Sequence, residues 1–479
     1  MSPVIPDHVL RELGRTEGDA ASLGLLVRDQ DTRRLVLLRA VLDAAEAAPA
    51  TVCPPELLDR LREDWALLET AELADRAAVR TVLFHPLAGP WAQRLLGGLT
   101  SGAPAGPELR ADLAHLTALA AAAAVRAGVG FCARLVPRGG LICLPTLGAL
   151  QVGEVRVELI YDGDVLRVRP QEGPELTVRC QPDRTMTCTD PRWLPVLMLR
   201  EMVPGNGPVP LDDVDPYGID GGGLPRYGLS GATHVGDHER KEWAASWAGV
   251  QPLLRVGGEH RVTEAAALLR CVVPMGHPTG TGPEGDGPAH CSGTRREAFG
   301  AVLSSKPATS AYFAATLVHE LQHTKLAALT ALCPLHREDA AQRYFAPWRP
   351  DPRPFDGLLQ GAYSHLALAD YWQRFALHAR RVAHRDLAWA EHARCREQVG
   401  AVLPVLAGSA ALTPAGRTLV NEMITVYHRL DDSPPPPGHL ARAQAYVSTA
   451  KVIWQQRNGS RRKYAARDSR RSDQGSGVC

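Results

Sequence analysis

From Ser310 to Cys333 the chain contains neither glycine nor proline, and Pro334 then stops the run. Thr309 and Ser310 can cap its start, while Phe313, Leu317, Leu321 and Leu332 supply an apolar face, so the segment is predicted to be a buried helix. Within it stands the pattern His-Glu-x-x-His, at His319, Glu320 and His323. Residues four apart on a helix lie about 40° apart around the axis and one turn along it. Both imidazoles can therefore reach one ion. With 17 histidines in 479 residues, chance would yield roughly 0.03 such patterns, so the pair is read as a metal site.

The rest of the composition removes whole classes of function. Lys and Arg number 53 against 52 Asp and Glu, a formal net charge of +1. That balance gives no reason to expect nucleic acid as a partner. No run of about 20 uncharged apolar residues is present, which argues against a membrane span. Asp7, Arg11 and Glu12 interrupt any apolar stretch near the start, so no secretory signal is read there and a cytoplasmic location is expected. The ten cysteines are scattered without a CxxC pair. A reduced enzyme fits that pattern better than a disulfide scaffold.

The predicted fold is α+β and mostly helical, with a small antiparallel sheet and a zincin-like HExxH helix. Residues 1–128 form an N-terminal helical region, with breaks at AAPATVCPP and TSGAPAGPE. Residues 129–203 are β-rich, because Val, Ile and Leu nearly alternate there, and Tyr161-Asp162-Gly163-Asp164 reads as a hairpin turn. Residues 204–300 hold a polar connection, a helical pair (GVQPLLRV and HRVTEAAALLRCVVP) and a Gly/Pro loop. In that stretch Asp212, Asp213 and Asp215 lack the spaced ligands and closing Glu of a calcium loop. His277, His290 and Cys291 fall in the loop, which is read as a flexible insertion rather than a zinc site. Metal-site helices follow over 301–400 and further helices over 401–456. A basic, disordered tail is expected at 457–479.

Two imidazoles leave a metal with open positions, so a third protein ligand is expected downstream. A zinc peptidase of the extended HExxHxxGxxH type is ruled out by Leu326 and Leu329. One that takes a distant Glu would need a helical candidate, and Glu338 lies beside a Pro-bounded turn. The sequence instead continues through YFAPWRPDPRPFDGLLQGAYSHLALADYW. There His365 is the natural third ligand, with Gln360, Asp356 and Asp370 behind it. Arg349 and Arg353 stand in a proline-stiffened segment, and a guanidinium fork suits a carboxylate held beside a metal.

These residues resemble a known family, the HExxH-motif proteins of ribosomally made, modified peptides, understood as iron(II)- and 2-oxoglutarate-dependent peptide β-hydroxylases. The likeness runs through TRRLVLLRAVLDAA, PLDDVDPY, SGTRREAFGAVLSSKP, LVHELQHTKLAAL and APWRPDPRPFDGLLQGAYSHLALADYW, and so spans most of the chain. Relatives often carry His where this chain has Gln360. The resemblance implies that His319 and His323 bind Fe(II), that 2-oxoglutarate chelates it, that the third ligand comes from His365 or from position 360, and that a precursor peptide is the substrate; Arg353, Arg349 and Gln360 are the residues expected to hold the 2-oxoglutarate. Glu320 would then orient a ligand or the substrate. In the alternative, a zinc-dependent peptidase, Glu320 would instead be the general base.

Overall fold

The computed structural model describes residues 5–181, 184–218, 234–277 and 290–473, with side chains to Asn458. Six helices open the chain: α1 (Asp7–Gly14), α2 (Ala20–Ala47), α3 (Pro55–Ala74), α4 (Arg76–Leu83), α5 (Ala88–Thr100) and α6 (Pro107–Ala127). Strands follow as β1 (Phe131–Leu135), β2 (Leu141–Leu144), β3 (Gly148–Gln151), β4 (Val157–Tyr161) and β5 (Val165–Pro170). Five more are β6 (Leu176–Cys180), β7 (Met186–Thr187), β8 (Trp193–Pro195), β9 (Leu197–Leu199) and β10 (Val209–Leu211). Helices α7 (Asp237–Ala248), α8 (Val250–Val256) and α9 (Glu259–Leu268) lead to β11 (Cys271–Met275), β12 (Ser292–Gly293) and β13 (Ala301–Ser305). The chain closes with α10 (Ser310–Leu332), α11 (Phe355–His378), α12 (Val382–Gly400), α13 (Leu403–Ala407), α14 (Pro414–Arg429) and α15 (Pro437–Asp473).

The protein is thus mostly helical α+β, divided into two compact units. One is assembled from residues 1–26, 249–267 and 310–479, the other from 27–248 and 268–309.

In the second unit, α6 is the central helix, contacting α3, α4, α5, β1 and β2. Its run Ala118–Ala124 is almost wholly buried, since side chains this small let neighbouring elements approach closely. Gly128 ends it in the left-handed conformation (φ 74°), which glycine adopts without a Cβ penalty. Strands β1, β4, β5, β6 and β7 form an antiparallel sheet in that order, with the expected turn at Asp162–Asp164 joining β4 to β5. A smaller sheet is ordered β2-β3-β8.

A third sheet, β12-β13-β11-β10-β9, departs from expectation: β11 pairs in parallel with both β10 and β13. The segment RCVVP, read above as the end of a helix, is therefore a strand, and α9 stops at Leu268. Every residue of β11 is buried, and a short apolar run buried on both faces carries no periodicity that separates strand from helix.

The first unit is helical. Helix α11 packs against α10, α12, α8 and α14, while α12 also packs on α15 and α1 on α14. Helix α10 has the length expected and is apolar on most sides, with Phe313, Leu317, Val318, Leu321, Leu326, Leu329 and Leu332 buried. Helix α15 runs to Asp473, through the segment read as a tail. The residues 278–289 of the Gly/Pro loop lie outside those described, as do 474–479. Among the described residues no helix is long and apolar enough to cross a membrane.

Candidate metal centre

Helix α10 delivers the two motif histidines as its period requires. His319 Nε2 and His323 Nε2 lie 3.1 Å apart, and their rings are nearly perpendicular, at 80° with centroids 4.8 Å apart. Two imidazole nitrogens can approach so closely only if one carries the proton or both face one cation. The edge of a tetrahedron around an ion with bonds of ~2.0 Å is about 3.3 Å. The spacing therefore fits a shared divalent metal.

The protonation states fit as well. Burial, then the neighbouring His323 and His365, holds His319 well below the ordinary imidazole value. Burial also lowers His323, although its bond to Gln360 opposes the shift. His365 is pushed down to about 3 by burial and then by the Arg394 charge. Neutral imidazoles are the form that ligates.

Helix α11 supplies the partners. His323 Nδ1 lies 3.2 Å from Gln360 Oε1, so an Nδ1–H donated to that oxygen leaves Nε2 with its lone pair toward His319. Gln360 thus meets the site as an orienting group for His323. His365 Nδ1 donates to the Gly361 carbonyl at 2.8 Å, which likewise leaves its Nε2 as an acceptor. Its ring stands 5.2 Å from that of His319 and is stacked by Trp348 at 4.6 Å and 21°. A Cβ on Gly361 would sit 2.3 Å from the Trp348 indole, so only glycine there leaves room for the stack.

His319, His323, His365 and Gln360 are thus brought together, but the set is not closed. Among the described residues, no third His, Cys, Asp or Glu places a ligand atom within 4.8 Å of both motif nitrogens. His319 Nδ1 is buried without a hydrogen-bond partner. Asp370 is engaged elsewhere: it pairs with Arg374 at 3.2 Å and Arg429 at 3.2 Å. It lies five residues past His365, about 140° around the helix, and is corrected as a ligand candidate. Asp356 is 3.6 Å from His336, and its charge also acts on His323.

The two arginines separate. Arg353 is anchored by its backbone, exchanging hydrogen bonds of 2.9 Å with Tyr344. Its guanidinium lies 3.3 Å from Asp351 and its charge is felt by His323. Arg349 instead lines a pocket of about 530 Å³ with Trp348, Tyr446, Ile453, Trp454 and Arg457. Trp348 is the common wall, with the His365 ring stacked against it.

Glu320 is buried at 2% exposure, about 60° beyond His323 around the axis. On another side of α10 a buried charge network fixes the helix. Lys325 pairs with Glu264, which also accepts from Gln322 at 3.1 Å and from Arg261 at 2.9 Å. Burial pushes the Glu264 carboxyl up, but the Lys325 and Arg261 charges outweigh it and hold the group at about 2.

In the other unit, the three side chains that do converge are His85, Asp212 and Asp215. The aspartates stand out in the sequence, but His85 lies far from them in the chain, in a turn with no spacing signal. No model of a known protein family matches the chain, and no curated protein is similar enough to it to count as a relative.

Proposed function

We propose that the protein is an iron(II)- and 2-oxoglutarate-dependent hydroxylase acting on the β carbon of a side chain in a ribosomally made precursor peptide, with a zincin-like α10 as its metal-binding helix. The supporting observation is the 3.1 Å approach of two neutral Nε2 atoms, with His365 beside them and its Nε2 free of the carbonyl that takes Nδ1–H. His319 and His323 would hold the ion, and His365, whose ring stands 5.2 Å from that of His319, would be the third ligand. When bound, iron(II) with 2-oxoglutarate and oxygen supplies the oxidant: the keto acid becomes succinate and carbon dioxide, and a C–H becomes C–OH.

The chain's own groups do the rest. Gln360 holds the His323 tautomer. Trp348 keeps the His365 ring from turning. Arg353, whose charge acts on His323, would receive the distal carboxylate in its guanidinium fork. The pocket beyond Trp348, with Arg349 and Arg457 among aromatic rings, suits an extended peptide with acidic and apolar side chains. Glu320 orients a ligand or the substrate. A cytoplasmic setting accords with this chemistry.

The test is anaerobic reconstitution with iron(II), then addition of 2-oxoglutarate, oxygen and the cognate precursor peptide. Succinate and a mass gain of one oxygen are expected, both lost in His319→Ala and His323→Ala. A cleaved peptide with zinc, no oxygen gained, and loss of activity in Glu320→Gln would instead establish the peptidase reading.

A further inference from the structure

We propose a second, structural metal site in the other unit, where His85, Asp212 and Asp215 hold a divalent transition-metal ion of the zinc class. One ligand atom from each lies within 4.8 Å of the other two, and His85 Nε2 is 3.3 Å from Asp212 Oδ2. That separation again equals the edge of a tetrahedron with bonds of ~2.0 Å. The three residues are 4%, 2% and 8% exposed.

What points to an ion is the polar capacity left over. Both ring nitrogens of His85 and Oδ2 of Asp212 are buried with no hydrogen-bond partner. Buried polar atoms are rarely left without a partner. The other oxygens are spent locally: Asp212 Oδ1 accepts from Val214 N and Asp215 N at 3.2 and 3.1 Å, and Asp215 Oδ1 from Tyr217 N at 2.8 Å. Each aspartate thus turns one oxygen to its own backbone and keeps one available.

Charge points the same way. Among the described residues, no Lys or Arg pairs with Asp212 or Asp215. Asp213 between them turns away to Arg240 at 3.0 Å. The nearby Arg34 guanidinium is committed to carbonyls, donating to His85 O at 2.9 Å, Pro86 O at 3.4 Å and Glu297 O at 3.1 Å. A divalent ion would cancel both carboxylate charges.

The supports are rigid. Asp212 follows β10, its N–H donating to Val272 O of β11 at 2.8 Å. His85 follows α4, its N–H donating to Val82 O at 3.1 Å. A bound ion would tie the α4–α5 turn to the end of β10, and at three side chains this deeply buried it would hold the fold rather than act on substrate.

The experiment uses the full chain with His319→Ala and His323→Ala, which removes the first site, grown with added zinc and dialysed against EDTA. Elemental analysis is expected to find about one zinc per chain, falling below about 0.1 when Asp212→Asn and Asp215→Asn are added. Where those substitutions prevent folding, the parent variant is titrated with guanidinium beside a zinc indicator, and release should coincide with unfolding. Folded parent carrying less than about 0.1 zinc, retention undiminished by the aspartate substitutions, or release before unfolding would each overturn the proposal.

Discussion

Replacing Gly361 by alanine offers a test whose sign depends on one neighbour. In the middle of an exposed helix that change stabilises by about 1 kcal/mol. Here the new Cβ would lie 2.3, 2.5 and 2.6 Å from three atoms of the Trp348 indole, where carbon atoms prefer about 3.5–4.0 Å. The indole would have to retreat by roughly an ångström, giving up its stack on His365 (about 0.5–1.5 kcal/mol). Overpacking of this kind costs about 1–3 kcal/mol, so Gly361→Ala is expected to be net destabilising. In a Trp348→Ala background the obstacle is gone, and the same substitution should stabilise by about 1 kcal/mol. Urea unfolding of the four proteins, followed by circular dichroism, gives the coupling directly. Equal stabilisation by Gly361→Ala in both backgrounds would refute the idea that this glycine exists to admit the indole.

Further expectations concern the helices around the pair. Gln360→Ala removes the acceptor for His323 Nδ1 and should weaken metal affinity about 10–100-fold, measurable by competition with a chelating dye; unchanged affinity would dissociate Gln360 from the site. Lys325→Met leaves Glu264 short of a buried partner and should cost about 3–5 kcal/mol in denaturant unfolding, with a loss below about 1 kcal/mol showing that the network is not load on the fold. His392 is wholly buried, and burial lowers it to about 4 although its bond to Ala369 O opposes the shift. The unfolded chain therefore binds the proton first as pH falls below about 6.5, and stability is lost from there down to about 4. Between pH 6.5 and 5 this group alone removes about 2 kcal/mol, so His392→Leu should flatten the pH dependence by that much.

The helix bearing the motif was legible because it satisfies several signals at once: no breaker from Ser310 to Cys333, a proline stop, and apolar positions at helical spacing. The hairpin at Asp162–Asp164 was legible for a similar reason, since turn residues sit between alternating strands. Parallel pairing leaves no such trace. Cys271–Met275 finds its partner in Ala301–Ser305, and nothing in either pentapeptide names the other. Site residues divided likewise. His319 and His323 lie on one helix whose period predicts their meeting, whereas the place of His365 and the engagement of Asp370 by Arg374 and Arg429 depend on how a second helix packs. Trp348 and Gly361 could be recognised as a pair only once the two segments were packed.

The order of the two units along the chain bears on how the protein emerges from the ribosome. Helix α1 packs on α14, and Arg15 pairs with Glu422 at 2.8 Å, so residues around Arg15 must wait for those around Glu422 to be made. At about 5–20 residues per second that delay is on the order of tens of seconds. Meanwhile the residues of the other unit, ending at Thr309, are all translated before Ser310 appears. Nascent α1, with Val9, Leu10 and Leu13 destined for burial, would thus spend much of translation exposed, a natural client for a chaperone that shields short apolar segments.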